Sequence, residues 1–294
     1  MSIDADESDE VTAAVTTGET TAVTEAVAAA ADRLARAAQT RIGCAPVRDL
    51  ITDVDAAYAV QQLSVSRQRA LGRRVAGRKI GLTSVAVQRQ LGVDRPDFGA
   101  LYADDIHGDA DPVDLGRFLL PRVEVEVAFV LGTDLDLPHP SVLDVMRAVE
   151  FVLPAIEIVD SRIAGWNITL VDTVADNASG AATVLGAPVI WPSTDPFALD
   201  LRTCGALIEH RGEVVSVGAG AACLGNPLNA VTWLARELGR RGDALRAGDL
   251  VLSGALGPVV PVSAPGVYEA RLEGLGSVRA VFDGIAPATQ GQES

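Results

Sequence analysis

Residues Arg122-Val123-Glu124-Val125-Glu126-Val127-Ala128-Phe129 alternate in character along the chain. A period of two marks a β-strand, in which successive side chains point to opposite faces. Val123, Val125, Val127 and Phe129 then face a core, and Glu124 and Glu126 share the other face. A strand patterned this way needs neighbours. Short runs rich in β-branched residues supply them at 155–159, 182–185, 206–210, 250–253 and 278–282, between Gly, Pro and Asp punctuation. Helical signals come first in the chain. One helix is expected from about residue 21 until Pro46, and a second from about 53 to 71, where Ala56, Val60, Leu63, Ala70 and Leu71 fall near 3.6-residue spacing. A third is expected at 143–152, closed by Pro154. A fourth starts with Asn226 as N-cap and Pro227 in the first position, with Ala230, Leu234 and Leu238 on one face. The fold class is α+β: an acidic disordered tail at 1–20, a helical part at 21–76, a mainly β part at 77–284 and a short tail at 285–294.

Composition excludes several function classes. A net charge of −15 leaves no basic stripe for nucleic-acid phosphates and disfavours an anionic membrane. No apolar run is long enough to cross a bilayer, and the acidic N-terminus does not resemble a secretory signal. Cys44, Cys204 and Cys223 have neither metal-ligand nor disulfide spacing, which fits a reducing cytoplasm. The glycine-rich stretch 218–225 has Cys223 where a dinucleotide fingerprint needs glycine, and Asn226-Pro227 where a phosphate loop needs Lys-Ser/Thr. A tight loop into a helix is expected there. His107, His139 and His210 lack zinc-ligand spacing, and no Gly-x-Ser-x-Gly elbow is present.

Two features point to chemistry. Glu124 and Glu126 repel each other unless a cation lies between them or the face is solvated. Mg²⁺ or Mn²⁺, which take oxygen ligands, would suit them. Glu157 lies in the apolar run Ala155-Ile156-Glu157-Ile158, so it either completes that site or reaches water at a sheet edge. The second feature is Lys79. Lysine and arginine together number 24, and only this one is lysine. An ammonium is compact and can shift its pKa, whereas guanidinium is planar and always charged. Either an arginine bias left one lysine by chance, or Lys79 does what arginine cannot. The polar run from Asp172 to Gly180 reads as a turn or as the lining of a ligand pocket.

Several segments, taken in order, resemble the 2-keto-4-pentenoate hydratase family of the fumarylacetoacetate-hydrolase-like superfamily. They are Gly77-Arg78-Lys79-Ile80-Gly81-Leu82-Thr83-Ser84, Gly92-Val93-Asp94-Arg95-Pro96-Asp97-Phe98-Gly99, Pro121-Arg122-Val123-Glu124-Val125-Glu126, Glu157-Ile158-Val159-Asp160-Ser161-Arg162 and Asp172-Thr173-Val174-Ala175-Asp176-Asn177-Ala178-Ser179. Leu224-Gly225-Asn226-Pro227-Leu228-Asn229-Ala230 and 248–257 continue the match, which spans roughly residues 22–284. The resemblance implies mixed strands rolled into an incomplete barrel, as in the fumarylacetoacetase C-terminal fold, with a smaller N-terminal helical part. It implies Mg²⁺ or Mn²⁺ held by Glu124, Glu126 and Glu157, with Lys79 and Asp97 catalytic. Thr83, Ser161 and Ser179 are then substrate-binding donors.

The implied reaction is hydration of 2-hydroxypenta-2,4-dienoate to 4-hydroxy-2-oxopentanoate in meta-cleavage degradation of aromatic compounds. Lys79 would donate to the substrate carboxylate or enolate, or move protons with a lowered pKa. Relatives form homo-oligomers, so a pentamer or decamer is expected, with association with pathway enzymes. The superfamily's carbon–carbon hydrolases use a lid histidine, and no histidine precedes His107 here. The rival activity is that of 4-oxalocrotonate decarboxylase on 2-oxohex-3-enedioate. That chemistry needs a second cation for the distal carboxylate, with Arg78 or Arg162 in view.

Overall fold

The computed structural model describes residues 7–191 and 199–285; the side chains of 7–23, 90 and 91 are not described. The expected tails fall partly outside: residues 1–6 and 286–294 are not described, and 7–20 lie within the first helix. The helices are α1 (Glu7–Thr40), α2 (Val54–Ala70), α3 (Val85–Leu91), α4 (Val142–Ala148), α5 (Leu170–Ala175) and α6 (Pro227–Arg240). The strands are β1 (Val75–Gly81), β2 (Asp97–Tyr102), β3 (Ile106–Gly108), β4 (Pro112–Asp114), β5 (Arg122–Leu131), β6 (Val149–Val159) and β7 (Gly180–Leu185). They continue with β8 (Val189–Ile190), β9 (Gly205–His210), β10 (Glu213–Ala219), β11 (Leu250–Leu252), β12 (Val260–Pro261), β13 (Gly266–Leu272) and β14 (Gly276–Asp283).

Local chemistry sets the helix starts. Asp53 caps α2 by accepting from Ala56 N, and Asn226 caps α6 by accepting from Leu228 N, with Pro227 in the first turn. The α6 side chains Ala230, Leu234 and Leu238 enter the core as the spacing predicts. The expected helix at 143–152 is corrected. It ends at Ala148, and Val149–Val159 is a strand that runs straight through Pro154. The Pro154 carbonyl accepts from Gly186 N at 2.9 Å, so its backbone faces the break between β7 and β8. A missing N–H is tolerated there because no strand stands opposite to receive it.

The large sheet has nine strands, in the order β2-β1-β11-β5-β6-β7-β3, with β12 added to β5 and β8 to β6. Among the described residues β2 and β3, at the two ends of this order, do not pair with each other, so the sheet is open. The small sheet runs β10-β9-β13-β14-β4. Val123, Val125, Val127 and Phe129 are fully buried in the main core together with Ile208, Ala270, Val278 and Ala280 of the small sheet. On the opposite face of the large sheet, Leu101, Ala128, Leu153, Ala155, Leu250 and Leu252 form a second, smaller apolar cluster. Glu124 and Glu126 share that face with Ala128, so the carboxylates stand at the edge of an apolar lining. Among the described residues, no helix is long and apolar enough to cross a membrane, and all three cysteines are free.

Candidate active site

Strand register assembles the carboxylates. Glu124 on β5 lies directly across from Glu157 on β6, and Glu157 in turn from Thr183 on β7. Glu126 follows two residues along the same face. One oxygen from each of Glu124, Glu126 and Glu157 lies within 4.8 Å of the others. The solvated-face and sheet-edge alternatives fail here. Glu126 and Glu157 are 0% exposed, and β6 is an interior strand. Glu126 Oε2 accepts from Gly254 N at 2.7 Å, but among the described residues Glu126 Oε1 and Glu157 Oε2 have no hydrogen-bond partner, and Glu157 Oε1 has only the Lys79 ammonium at 3.3 Å. Burial first, and then mutual repulsion, pushes the Glu124 carboxyl up to about 7 and raises Glu126 well above the carboxylate range. Buried oxygens without donors, on groups that repel one another, are what a hard divalent cation relieves. The donor set therefore fits Mg²⁺ or Mn²⁺.

Lys79 reaches this cluster across the sheet. Its strand is three places from β6, about 14 Å in a flat sheet at ~4.8 Å per strand. Nζ nonetheless lies 3.3 Å from Glu157 Oε1, a gap that the two long side chains close by reaching toward each other over the shared face. Lys79 is 3% exposed and donates to the carbonyl of Ala178 at 2.9 Å. Burial opposes its charge, but Glu157, Asp97, Glu124 and Glu126 outweigh burial and hold its pKa above the usual lysine value. Of the two roles expected for Lys79, the ion-free arrangement favours a charged donor over a proton carrier with a lowered pKa. Asp97, 2% exposed on β2, has its pKa raised, chiefly by burial, with Lys79 pulling the other way. Its Oδ1 has no partner. Gly81 pairs with Asp97 in register, and a Cβ on Gly81 would lie 2.2 Å from Asp97 Oδ1 and 3.3 Å from Lys79 Nζ. Both groups thus crowd the space that this glycine leaves open.

The polar run after Thr169 is both a turn and part of the site. Asp172 is buried and accepts from Val47 N, Arg48 N, the Arg48 guanidinium, and the N–H and hydroxyl of Thr169. It ties the loop before α2 to the start of α5. Next, Asn177, Ala178 and Ser179 have φ of 56°, 50° and 54°. Left-handed backbone costs about 1–2 kcal/mol at residues such as Ala178 and Ser179, and three in a row is a strained turn.

The expected substrate donors differ in situation. Thr83 is buried beside Gly254, where a Cβ would come 2.3 Å from its Oγ1. The Ser179 hydroxyl lies 3.3 Å from that of Thr173, whose hydroxyl favours the ionised form of Asp97. The Ser161 hydroxyl donates to Asp176 at 3.1 Å and accepts from Ile163 N at 3.1 Å, so it is already engaged in local structure.

The two cations considered for a distal carboxylate are both committed elsewhere. Arg78 alternates with Lys79 onto the other face of β1 and pairs with Asp243 at 2.8 Å. Arg162 grips Asp176 through its guanidinium and backbone N–H. A different arginine, missed in the sequence, stands on the carboxylate face. Exposure rises from buried Glu126 to half-buried Glu124 and Arg122, so the site opens toward Arg122. The Arg122 guanidinium stacks over the Trp166 ring at 4.1 Å and has no ion-pair partner among the described residues. The signal was present as alternation, since Arg122, Glu124 and Glu126 are each two apart. A cavity of about 650 Å³, lined by Arg73, Tyr102, Arg117, Arg162, Asn177 and Thr183, lies under α1 and α2; none of the three glutamates lines it, but Thr183 stands across from Glu157.

The pattern of fold and site has known counterparts. The fumarylacetoacetate (FAA) hydrolase C-terminal family matches residues 77–283. The chain belongs to that family. Within it, a 2-keto-4-pentenoate hydratase of Paraburkholderia xenovorans is 55% identical over 256 residues, covering 86% of this chain and 94% of its own. A 2-hydroxypent-2,4-dienoate hydratase of Pseudomonas putida is 46% identical over 192 residues, covering 65% of this chain and 85% of its own. Among solved structures, 4-oxalocrotonate decarboxylase from Pseudomonas putida, complexed with magnesium and adipate, superposes with a TM-score of 0.82 at 34% identity, covering 88% of this chain and 98% of its own. The family's mixed sheets with flanking helices are the architecture seen here.

Proposed function

We propose that this chain is a divalent-cation-dependent hydratase that converts 2-hydroxypenta-2,4-dienoate to 4-hydroxy-2-oxopentanoate. The observation that carries it is the Glu124/Glu126/Glu157 set, in which Glu126 and Glu157 are buried with oxygens that accept no hydrogen bond among the described residues, beside Lys79 and Asp97. The names of its relatives support the same reaction. The large open sheet is taken as the incomplete barrel of the family, and the protein as a cytoplasmic enzyme that self-associates.

On this reading Glu124, Glu126 and Glu157 hold Mg²⁺ or Mn²⁺, which when bound supplies Lewis-acid polarisation of the substrate's C2 oxygen. Lys79, kept charged by its neighbours, donates a hydrogen bond to that oxygen as negative charge develops. Asp97 has an oxygen that accepts no hydrogen bond among the described residues, beside Lys79, so it is placed to accept and return protons. The dienol loses its hydroxyl proton and gains one at C5. Asp97 then takes a proton from water as the oxygen adds to C4, and a proton is returned to C3 as the ketone re-forms. Thr83 and Ser179 contribute hydroxyl donors, Ser161 supports the site through Asp176, and Arg122 attracts the substrate's carboxylate.

The test follows loss of the dienoate's ultraviolet absorbance with Mg²⁺, with Mn²⁺ and with chelator, and identifies the product. Cation-dependent formation of 4-hydroxy-2-oxopentanoate is expected. Release of CO₂ from 2-oxohex-3-enedioate, with the dienoate untouched, would replace this proposal with the decarboxylase.

A further inference from the structure

We infer that Asn177 is a positioning residue for Lys79, acting through a strained turn that it clamps to strand β2. Its side-chain amide takes both backbone groups of Ala100: Oδ1 accepts from Ala100 N at 2.7 Å, and Nδ2 donates to Ala100 O at 2.9 Å. An amide that satisfies both groups of one strand residue imitates a neighbouring strand. It fixes the turn against the sheet next to Gly99, the residue paired across from Lys79. Gly99 admits this approach only because it lacks a side chain, since a Cβ there would lie 2.3 Å from the Asn177 carbonyl oxygen.

The ends of the turn are held separately. Arg162 and Ser161 hold Asp176, and Asp160 N donates to Ser179 O at 2.8 Å. Asn177 is the clamp in the middle. What the clamped turn presents is the Ala178 carbonyl, 2.9 Å from Lys79 Nζ. An ammonium has three donors. Ala178 takes one and Glu157 stands 3.3 Å from the nitrogen, so the direction of the remaining N–H depends on where the turn holds that carbonyl. Strained backbone persists only where its surroundings over-determine it, so without the clamp the turn relaxes and the ammonium loses its aim. The catalytic part of this inference rests on the hydratase reading; the structural part does not.

Because Lys79 is the only lysine in the chain, labelling with ¹³Cε,¹⁵Nζ-lysine gives one side-chain resonance. In Asn177→Ala that resonance should shift and broaden, while a distant control on the small sheet, Glu269→Gln, leaves it in place. If Asn177→Ala fails to fold, Asn177→Gly removes the same amide from a residue that accepts left-handed φ freely, and the same change is expected. An unmoved resonance in the folded variant overturns the inference, whether or not the protein proves to be a hydratase. In turnover, Asn177→Ala should lower kcat on the order of 10-fold or more, with KM within about threefold. The Lys79→Gln/Asn177→Ala double variant should be no slower than Lys79→Gln alone, as for residues that act as one unit. Multiplying effects in the double variant would overturn it as well.

Discussion

Lys79 is buried among four carboxylates and donates to a backbone carbonyl, an arrangement that a planar guanidinium cannot enter without displacing Glu157 or Ala178. Lys79→Arg should therefore lower kcat about 100-fold or more, the scale of losing one preorganised donor, and lower the urea midpoint as well, by the roughly 1–3 kcal/mol of an overpacked buried site; near-normal turnover would remove Lys79 from the mechanism. Arg122 makes the opposite kind of prediction. Arg122→Met keeps the apolar stem over Trp166 but loses the charge, so KM should rise roughly 10-fold, equivalent to about 1.4 kcal/mol, with kcat nearly unchanged and a weaker dependence of kcat/KM on salt. At this scale the sequence carried much of the site. The two-residue spacing of Glu124 and Glu126, the lone carboxylate in an apolar run and the lone lysine were all visible. What it hid were features that residue type does not report. Ala178 gives no hint of a positive φ, and Ser161 looks like a free donor until Asp176 is found beside it. The direction of the Lys79 shift was hidden too, because it depends on counting four acids in space.

Among the elements, α5 shows how one side chain joins distant segments. Asp172 gathers donors from Val47, Arg48 and Thr169. Asn at this position would turn an NH₂ toward donors, so Asp172→Asn should destabilise the protein by about 3–5 kcal/mol, the range for breaking a buried charge pair, read by urea denaturation. Burial opposes ionisation of Asp172, but Arg48 and Thr169 prevail and lower its pKa below the usual aspartate value. Its stabilising contribution is thus present above the unfolded-state pKa and is lost as pH falls through the folded value. The same scale shows where pattern reading stops. The helix caps Asp53 and Asn226 were legible because capping is local. Strands β1 and β2 were not singled out, because Gly77, Gly81 and Gly99 dilute their β-propensity. Those glycines are there for close approach; a Cβ on Gly77 would lie 1.8 Å from Leu250 O. Pro154 read as a helix stop because only the sheet order reveals the gap its backbone faces.

For the whole molecule, the clustered carboxylates tie stability to pH and to the cation. Glu124 rises from 4.5 to about 7 in the ion-free fold. A carboxyl raised on folding supports the folded state below its unfolded pKa, and that support is lost as pH climbs through the folded value. Ion-free protein should therefore lose stability between about pH 4.5 and 7. Saturating Mg²⁺ or Mn²⁺ should raise the thermal midpoint and flatten this dependence, since a ligand that binds only the folded state stabilises it; a midpoint unmoved by either ion would argue against the site. The two sheets share a further link. The chain passes from β3, laid parallel to β7 in the large sheet, within four residues to β4, laid parallel to β14 in the small one. Asp109 in between grips Arg279 at 2.7 Å. On the ribosome this stretch precedes β14, its mate in the small sheet, by about 160 residues of chain. The strap therefore waits, unpaired on that side, until β14 has been made, and native assembly is dominated by contacts distant in sequence. Once it closes, neither sheet can open without pulling on the other, so denaturation should pass through one cooperative step rather than two.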